Sequence, residues 1–156
     1  ALTGHLVLST LHTNDAATAL VRLVDLGIEP YLVASTVEAV LAQRLVRRIC
    51  RDCKVPVELS SEEAAALGLS REEVGRVWAG EGCDTCRGTG YRGRTGIYEL
   101  LVMDDDLRAA VHDDRSAGRL TALARARGMR LLHEDGLRLV RDGTTTAAEV
   151  LRVANA

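Results

Sequence analysis

The apolar positions change period along the chain, and each change marks an element. His5-Leu6-Val7-Leu8-Ser9-Thr10-Leu11 is a short apolar run with β-branched members, which predicts a buried strand. Leu20, Val21 and Val24 then recur at helical spacing, predicting a helix over about residues 15–26. Thr13 or Asn14 can cap its start, and Gly27 suits its C-terminal end. Pro30 fits the first turn of a second helix running to about Gln43. Leu45-Val46-Arg47-Arg48-Ile49 reads as a strand entering Cys50. Further on, Ser60-Ser61-Glu62-Glu63 and Ser70-Arg71-Glu72-Glu73 each carry serine and glutamate at capping-box spacing and predict two short helices. Gly80, Gly82, Gly88, Gly90 and Gly93 predict tight turns, and Thr95–Met103 an extended segment.

From Asp104 the period is helical again. Asp104 or Asp105 opens a helix holding Leu107, Ala110 and Val111, and Ser116 opens one holding Leu120, Leu123 and Ala124. A third passes through Leu131, Leu137 and Val140 to Gly143, and Thr144–Thr146 cap a last one through Val150 and Leu151. The pattern predicts an α/β layer over the first fifty residues, a cysteine-bearing insert over 50–93, and a small helical bundle from Asp104 onward.

The insert holds every cysteine of the chain: Cys50-Arg51-Asp52-Cys53 and Cys83-Asp84-Thr85-Cys86, with twenty-nine residues between the pairs. Thiolates at i and i+3 can hold one metal ion from a tight turn, and a second such turn completes a tetrahedron. That spacing suits a closed structural Zn²⁺ site with four sulfur ligands. Two disulfides or four free thiols are the other readings; disulfides require an oxidising compartment, and no secretory leader or apolar run of membrane-spanning length occurs in this sequence. The insert has few large apolar residues of its own, so it needs a staple. On this reading Cys83→Ser unfolds residues 50–93 and spares the segments on either side.

The 156 residues fit one or two small domains, and with 3% aromatics and no Phe the core must be built from Leu, Val, Ile and Ala. A net charge of −2 gives no global attraction to nucleic acid or acidic membranes. Lys54 is the one lysine, so the positive charge is nearly all arginine. Arg44, Arg47, Arg48 and Arg51 crowd the first cysteine pair, and Arg87, Arg92 and Arg94 follow the second. They form either a solvated basic face or a set aimed at phosphates or carboxylates, which arginine grips with a forked donor pair.

His12 follows the first predicted strand and precedes a helix, which is where ligands bind in parallel α/β sheets. An ordinary loop histidine is the plainer reading. No Gly-Lys-Ser or Gly-Lys-Thr phosphate loop occurs. Ala1 opens the sequence without methionine in what reads as the interior of a domain, so a missing N-terminal part is expected.

The run Gly4–Asp15 resembles the histidine box of the secretion ATPases that power type II secretion and type IV pilus assembly. The resemblance continues through Leu41–Leu45, both cysteine pairs, Gly90–Glu99, Gly128–Arg130, Glu134–Leu137 and Thr144–Val150. It implies that residues 1–49 end a RecA-like P-loop domain of a homo-hexameric ring that binds ATP and Mg²⁺. It implies that residues 50–93 are a tetracysteine zinc subdomain with Cys50, Cys53, Cys83 and Cys86 as ligands, and that 94–156 are a helical C-terminal subdomain. It gives His12 a role in sensing or positioning a phosphate and Arg94 a role at a nucleotide or subunit interface. It places the parent protein in the cytoplasm, peripheral to the inner membrane through secretion or pilus platform proteins, with neither nucleic acid as partner nor a transmembrane segment. The phosphate loop and Mg²⁺-binding acids are absent from this sequence, so the 156 residues alone are expected to be inactive. Two rival classes fit parts of the pattern. Cys83–Gly90 fits one copy of the DnaJ-type chaperone zinc-finger repeat, which normally occurs four times. A zinc-ribbon nucleic-acid binder would explain the arginines, but aromatics for base stacking are lacking.

Overall fold

A computed structural model describes residues 3–68, 77–113 and 116–154. The elements in chain order are α1 (Ala16–Asp25), α2 (Pro30–Thr36), β1 (Ala39–Ile49), β2 (Lys54–Val57), α3 (Ser61–Ala66), β3 (Val77–Gly80), β4 (Tyr91–Val102), α4 (Asp105–Asp113), α5 (Ala117–Ala126), α6 (Leu132–Arg141) and α7 (Ala147–Ala154). Strand β1 pairs with β4, and β2 pairs antiparallel with β3 in the register Lys54–Gly80, Val55–Ala79, Pro56–Trp78 and Val57–Val77. The helix predicted at Ser70–Glu73 lies outside the described residues.

The chain divides into two compact units that interleave in sequence. One is Ala1–Ala42 with Glu99–Arg130; the other is Gln43–Tyr98 with Leu131–Ala156. In the first, α1 packs on α2 and α5, α2 packs on α4, and α4 packs on α5. Leu20, Val33, Leu101, Leu107, Val111 and Leu120 form its buried interior. Asp15 caps α1 through its carboxylate, accepting Thr18 N–H and Thr18 Oγ1–H, both at 2.7 Å. The cap is therefore one residue later than Asn14, and Gly27 ends the helix at φ +90°, a value open to glycine without steric cost.

Two sequence expectations fail in this unit. Residues 5–11 form no strand, and Leu6, Val7 and Leu8 are exposed. A strand buried on both faces needs sheet neighbours for its N–H and C=O groups, and none is present among the described residues. The second helix stops at Thr36 rather than Gln43. Ser35 and Thr36 both turn their hydroxyls onto the Leu32 carbonyl, the local bonding by which such side chains compete with the helix. Arg108 reaches the carbonyls of Ala34 and Val37 at the C-terminal end of α2 and pairs with Glu38 at 3.2 Å, placing a cation at the negative end of the helix. Val37 is extended, and β1 begins two residues later. Ala39–Gln43 has the propensity of a helix; its pairing with β4 overrides that.

In the second unit, Leu59, Ala64, Leu67 and Val77 pack with Val140, Ala147 and Val150 in one cluster, with Leu137 and Leu151 against it. The predicted capping box starts α3: Ser60 Oγ accepts Glu63 N–H at 3.1 Å, and Glu63 accepts Ser60 N–H at 3.2 Å. Among its described residues, the segment between the cysteine pairs thus shares its core with α6 and α7. Gly136 lies against Val150, where a Cβ would overlap the valine methyls. Among the described residues no helix is long and apolar enough to cross a membrane.

Candidate metal centre

Each cysteine pair sits on a single 3-10 turn, over Arg51–Cys53 and Asp84–Cys86. Strand β1 delivers the first pair and β2 leaves it; β3 leads toward the second pair and β4 leaves it. The β2–β3 hairpin keeps the two turns in register, and Glu81 N–H donates to the Cys53 carbonyl at 3.1 Å. Cys50 N–H donates to the Gly90 carbonyl at 2.9 Å, tying the other flanks together. The second turn closes tightly: Arg87 N–H donates to Asp84 O at 3.1 Å and Gly88 N–H to Cys83 O at 2.9 Å. That closure puts Arg87 in the left-handed region at φ +54°, the one non-glycine residue there among those described. At Gly80 and Gly90 the two backbones meet. A Cβ on either would overlap the other's carbonyl, so only glycine fits this crossing.

The four sulfur atoms are drawn to one point. Cys50 Sγ lies 3.9 Å from Cys83 Sγ, Cys53 Sγ lies 3.9 Å from Cys86 Sγ, and Cys83 and Cys86 are 3.7 Å apart. All four ligand atoms fall within 4.8 Å of one another. A tetrahedral ion with bonds of about 2.3 Å to sulfur has edges of about 3.8 Å, so these spacings match a filled tetrahedron. A disulfide needs about 2.05 Å, and all four cysteines are free. The donor set, four soft sulfurs, suits Zn²⁺, which these residues could hold as a closed site. When bound, the ion would supply cross-linking of the two cysteine turns and no open coordination position.

Backbone amides complete the shell. Gly82 N–H points at Cys53 Sγ at 3.3 Å, while Cys83 N–H and Gly90 N–H both point at Cys86 Sγ at 3.2 Å. Burial raises the Cys86 thiol, but the Cys83 and Gly90 amides outweigh it and lower it to about 6. Burial pushes Cys53 up to about 12 against its single amide from Gly82. Hydrogen bonds to the anion favour it, so the amides hold Cys86 toward the thiolate form.

A buried carboxylate braces the same unit. Glu149 on α7 is 1% exposed and accepts four donors: Arg47 N–H at 2.9 Å, Arg47 Nη2 at 2.7 Å, Arg152 Nε at 2.8 Å and Arg152 Nη2 at 3.0 Å. Thr145 Oγ1–H donates to the Arg47 carbonyl at 2.7 Å. The 144–149 segment therefore binds β1 through the Thr145 and Glu149 side chains and through the Thr144 carbonyl, which accepts Ile49 N–H at 2.9 Å. The Arg47 guanidinium also lies 4.1 Å over the Tyr91 ring, and the Tyr91 hydroxyl is 2.8 Å from Thr146 Oγ1. Arg47 is thus a structural cation. Asp135, also buried, accepts Tyr98 N–H at 3.0 Å.

The other two candidate residues sit elsewhere. His12 is exposed, outside regular structure, three residues before the Asp15 cap, and belongs to the first unit. Arg94 is exposed on β4 in the second unit and lines an open depression of about 560 Å³ with Arg47, Thr89, Tyr91 and Gly93. Only the cysteines assemble into a cluster. Glu149 and Asp135 are bracing groups that the sequence reading misses. Their signal was there: each acid occupies the apolar stripe of its own helix, beside Val150 and Gly136, with an arginine three residues on.

Comparison with known proteins adds an independent line. Residues 1–152 match the family described as "Type II/IV secretion system protein". The chain is 50% identical over 153 residues to the Thermus thermophilus "Type IV pilus assembly ATPase PilB", covering 97% of this chain and 17% of that protein. It is 52% identical over 152 residues to the Pseudomonas aeruginosa "Type II secretion system protein HxcR" and 46% identical over 152 to the Vibrio cholerae "Type II secretion system ATPase E". These matches cover 97% of this chain and 29% and 30% of those proteins. The chain therefore spans less than a third of the length of the relatives it matches.

Proposed function

The chain belongs to the type II/IV secretion system protein family, and from that premise we propose that it is the C-terminal part of a hexameric ATPase powering type II protein secretion or type IV pilus assembly. The observation that carries the proposal is the in-order match over residues 1–152 to proteins named as such ATPases. In this reading residues 1–49 finish a RecA-like domain, 50–93 are the metal-binding subdomain, and 94–156 are the helical subdomain. Cys50, Cys53, Cys83 and Cys86 hold a structural Zn²⁺. His12 senses or positions a phosphate of ATP, and Arg94 serves a nucleotide or subunit interface. ATP and Mg²⁺ are held mainly by residues outside this sequence, which has no Gly-Lys-Ser or Gly-Lys-Thr loop. The protein works in the cytoplasm against inner-membrane platform proteins. The chaperone and nucleic-acid alternatives have no support from the family match.

Phosphoryl transfer depends on positioning of phosphates and Mg²⁺, so the isolated 156 residues are expected to give no MgATP turnover above background. In the longer chain that contains them, His12→Ala is expected to lower kcat about 10- to 100-fold with little change in KM, as for an interaction made in the transition state. Steady-state phosphate release checks both. Turnover by the isolated chain, or an unchanged kcat for the variant, would contradict the assignment.

A further inference from the structure

A carboxylate remote in sequence from the histidine segment reaches its anchor point. Glu99, near the end of β4, is 3% exposed, and its Oε1 accepts the Ala16 N–H at 2.9 Å. Ala16 is the first residue of the ten-residue helix α1. The first N–H groups of a helix have no partner inside it. Here Asp15 takes the Thr18 amide and Glu99 takes that of Ala16. Two carboxylates therefore hold one helix start, at the positive end of its dipole. In the stretch before it, residues 5–13 form no regular element, and Thr13 Oγ1–H donates to the Asp15 carbonyl at 3.1 Å. His12 is attached directly to that turn.

We infer that Glu99 is a positioning residue for His12: its buried carboxylate clamps the start of α1 and so fixes where the preceding histidine segment leaves the fold. The assignment rests on the proposed role of His12, and Glu99 itself touches neither substrate nor reacting atoms. Glu99→Gln keeps an oxygen acceptor for Ala16 N–H and loses the charge. Glu99→Ala loses both. The two variants separate the clamp from burial alone.

The test has two readouts. In the 156-residue chain, amide hydrogen exchange over residues 12–18 is expected to speed about 10- to 100-fold in Glu99→Ala and less than 10-fold in Glu99→Gln, with α4 and α5 unchanged. In the longer chain, Glu99→Ala is expected to lower kcat about 10-fold at constant KM, with Glu99→Gln recovering most of it. The double variant with His12→Ala is expected to lose little more than His12→Ala alone, because residues acting as one unit are not additive. Unchanged exchange over residues 12–18, equal exchange in both Glu99 variants, or full additivity would overturn the inference. Faster exchange in Glu99→Ala together with full turnover in His12→Ala would uphold the clamp and overturn the reading of His12.

Discussion

Removing the metal, or replacing Cys83 by Ser, is expected to unfold the whole unit formed by Gln43–Tyr98 and Leu131–Ala156, not the cysteine insert alone. A structural zinc contributes an apparent ~10–16 kcal/mol in small metal domains, comparable with the ~5–15 kcal/mol that keeps an entire domain folded. The insert cannot fail by itself, because Leu59, Ala64, Leu67 and Val77 share their core with Val140, Ala147 and Val150. Breaking the sulfur cluster frees the β2–β3 hairpin and α3, which leaves one side of α6 and α7 facing water. Residue-resolved hydrogen exchange after chelation checks this. Protection should vanish over residues 131–154 as it does over 50–67, while α1, α2, α4 and α5 stay protected. Protection retained by α6 and α7 would restore the narrower expectation drawn from sequence.

Glu149→Ala carries the second large effect. Breaking a fully buried ion pair costs about 3–5 kcal/mol. The two arginines are 45% and 57% exposed and can turn to water, so about 2–3 kcal/mol is expected here. Acid should reproduce part of the loss. Hydrogen bonds from Arg152 lead, burial opposes them, and those from Arg47 add to them, so the carboxyl is held well below the usual range. A carboxyl lowered in the folded state contributes stability that is complete above its unfolded value of about 4.3 and lost as pH falls toward the folded value. The stability gap between the native chain and Glu149→Gln should therefore be constant above about pH 5.5 and shrink below about pH 4.5. Comparing the two chains cancels the acid sensitivity of the cysteine site that both share. Urea unfolding across pH checks it; a gap independent of pH would contradict the assigned charge network.

What the sequence could and could not reveal follows from the range of each interaction. Local chemistry was legible: the capping box at Ser60, the cap at Ser116, glycines at positive φ around the second cysteine turn, and the spacing of four cysteines. Interactions between distant segments were not. Ala39–Gln43 looks helical until β4 pairs with it. Residues 5–11 look like a buried strand, but burial needs sheet neighbours that their own sequence cannot supply. Glu99, Asp135 and Glu149 sit in recognisable motifs, yet their partners Ala16, Tyr98 and Arg47 are 83, 37 and 102 residues away. These acids hold structure together, whereas a motif reading alone would make them candidates for chemistry.

On this reading four cysteines close one metal site that staples the second unit. Elemental analysis of reduced, chelator-free protein tests it most directly when free thiols are counted before and after denaturation. The expected result is one zinc per chain, with four thiols masked in the native protein and four released on unfolding. Metal-free protein with four reactive thiols and an intact, fully protected second unit would contradict the account.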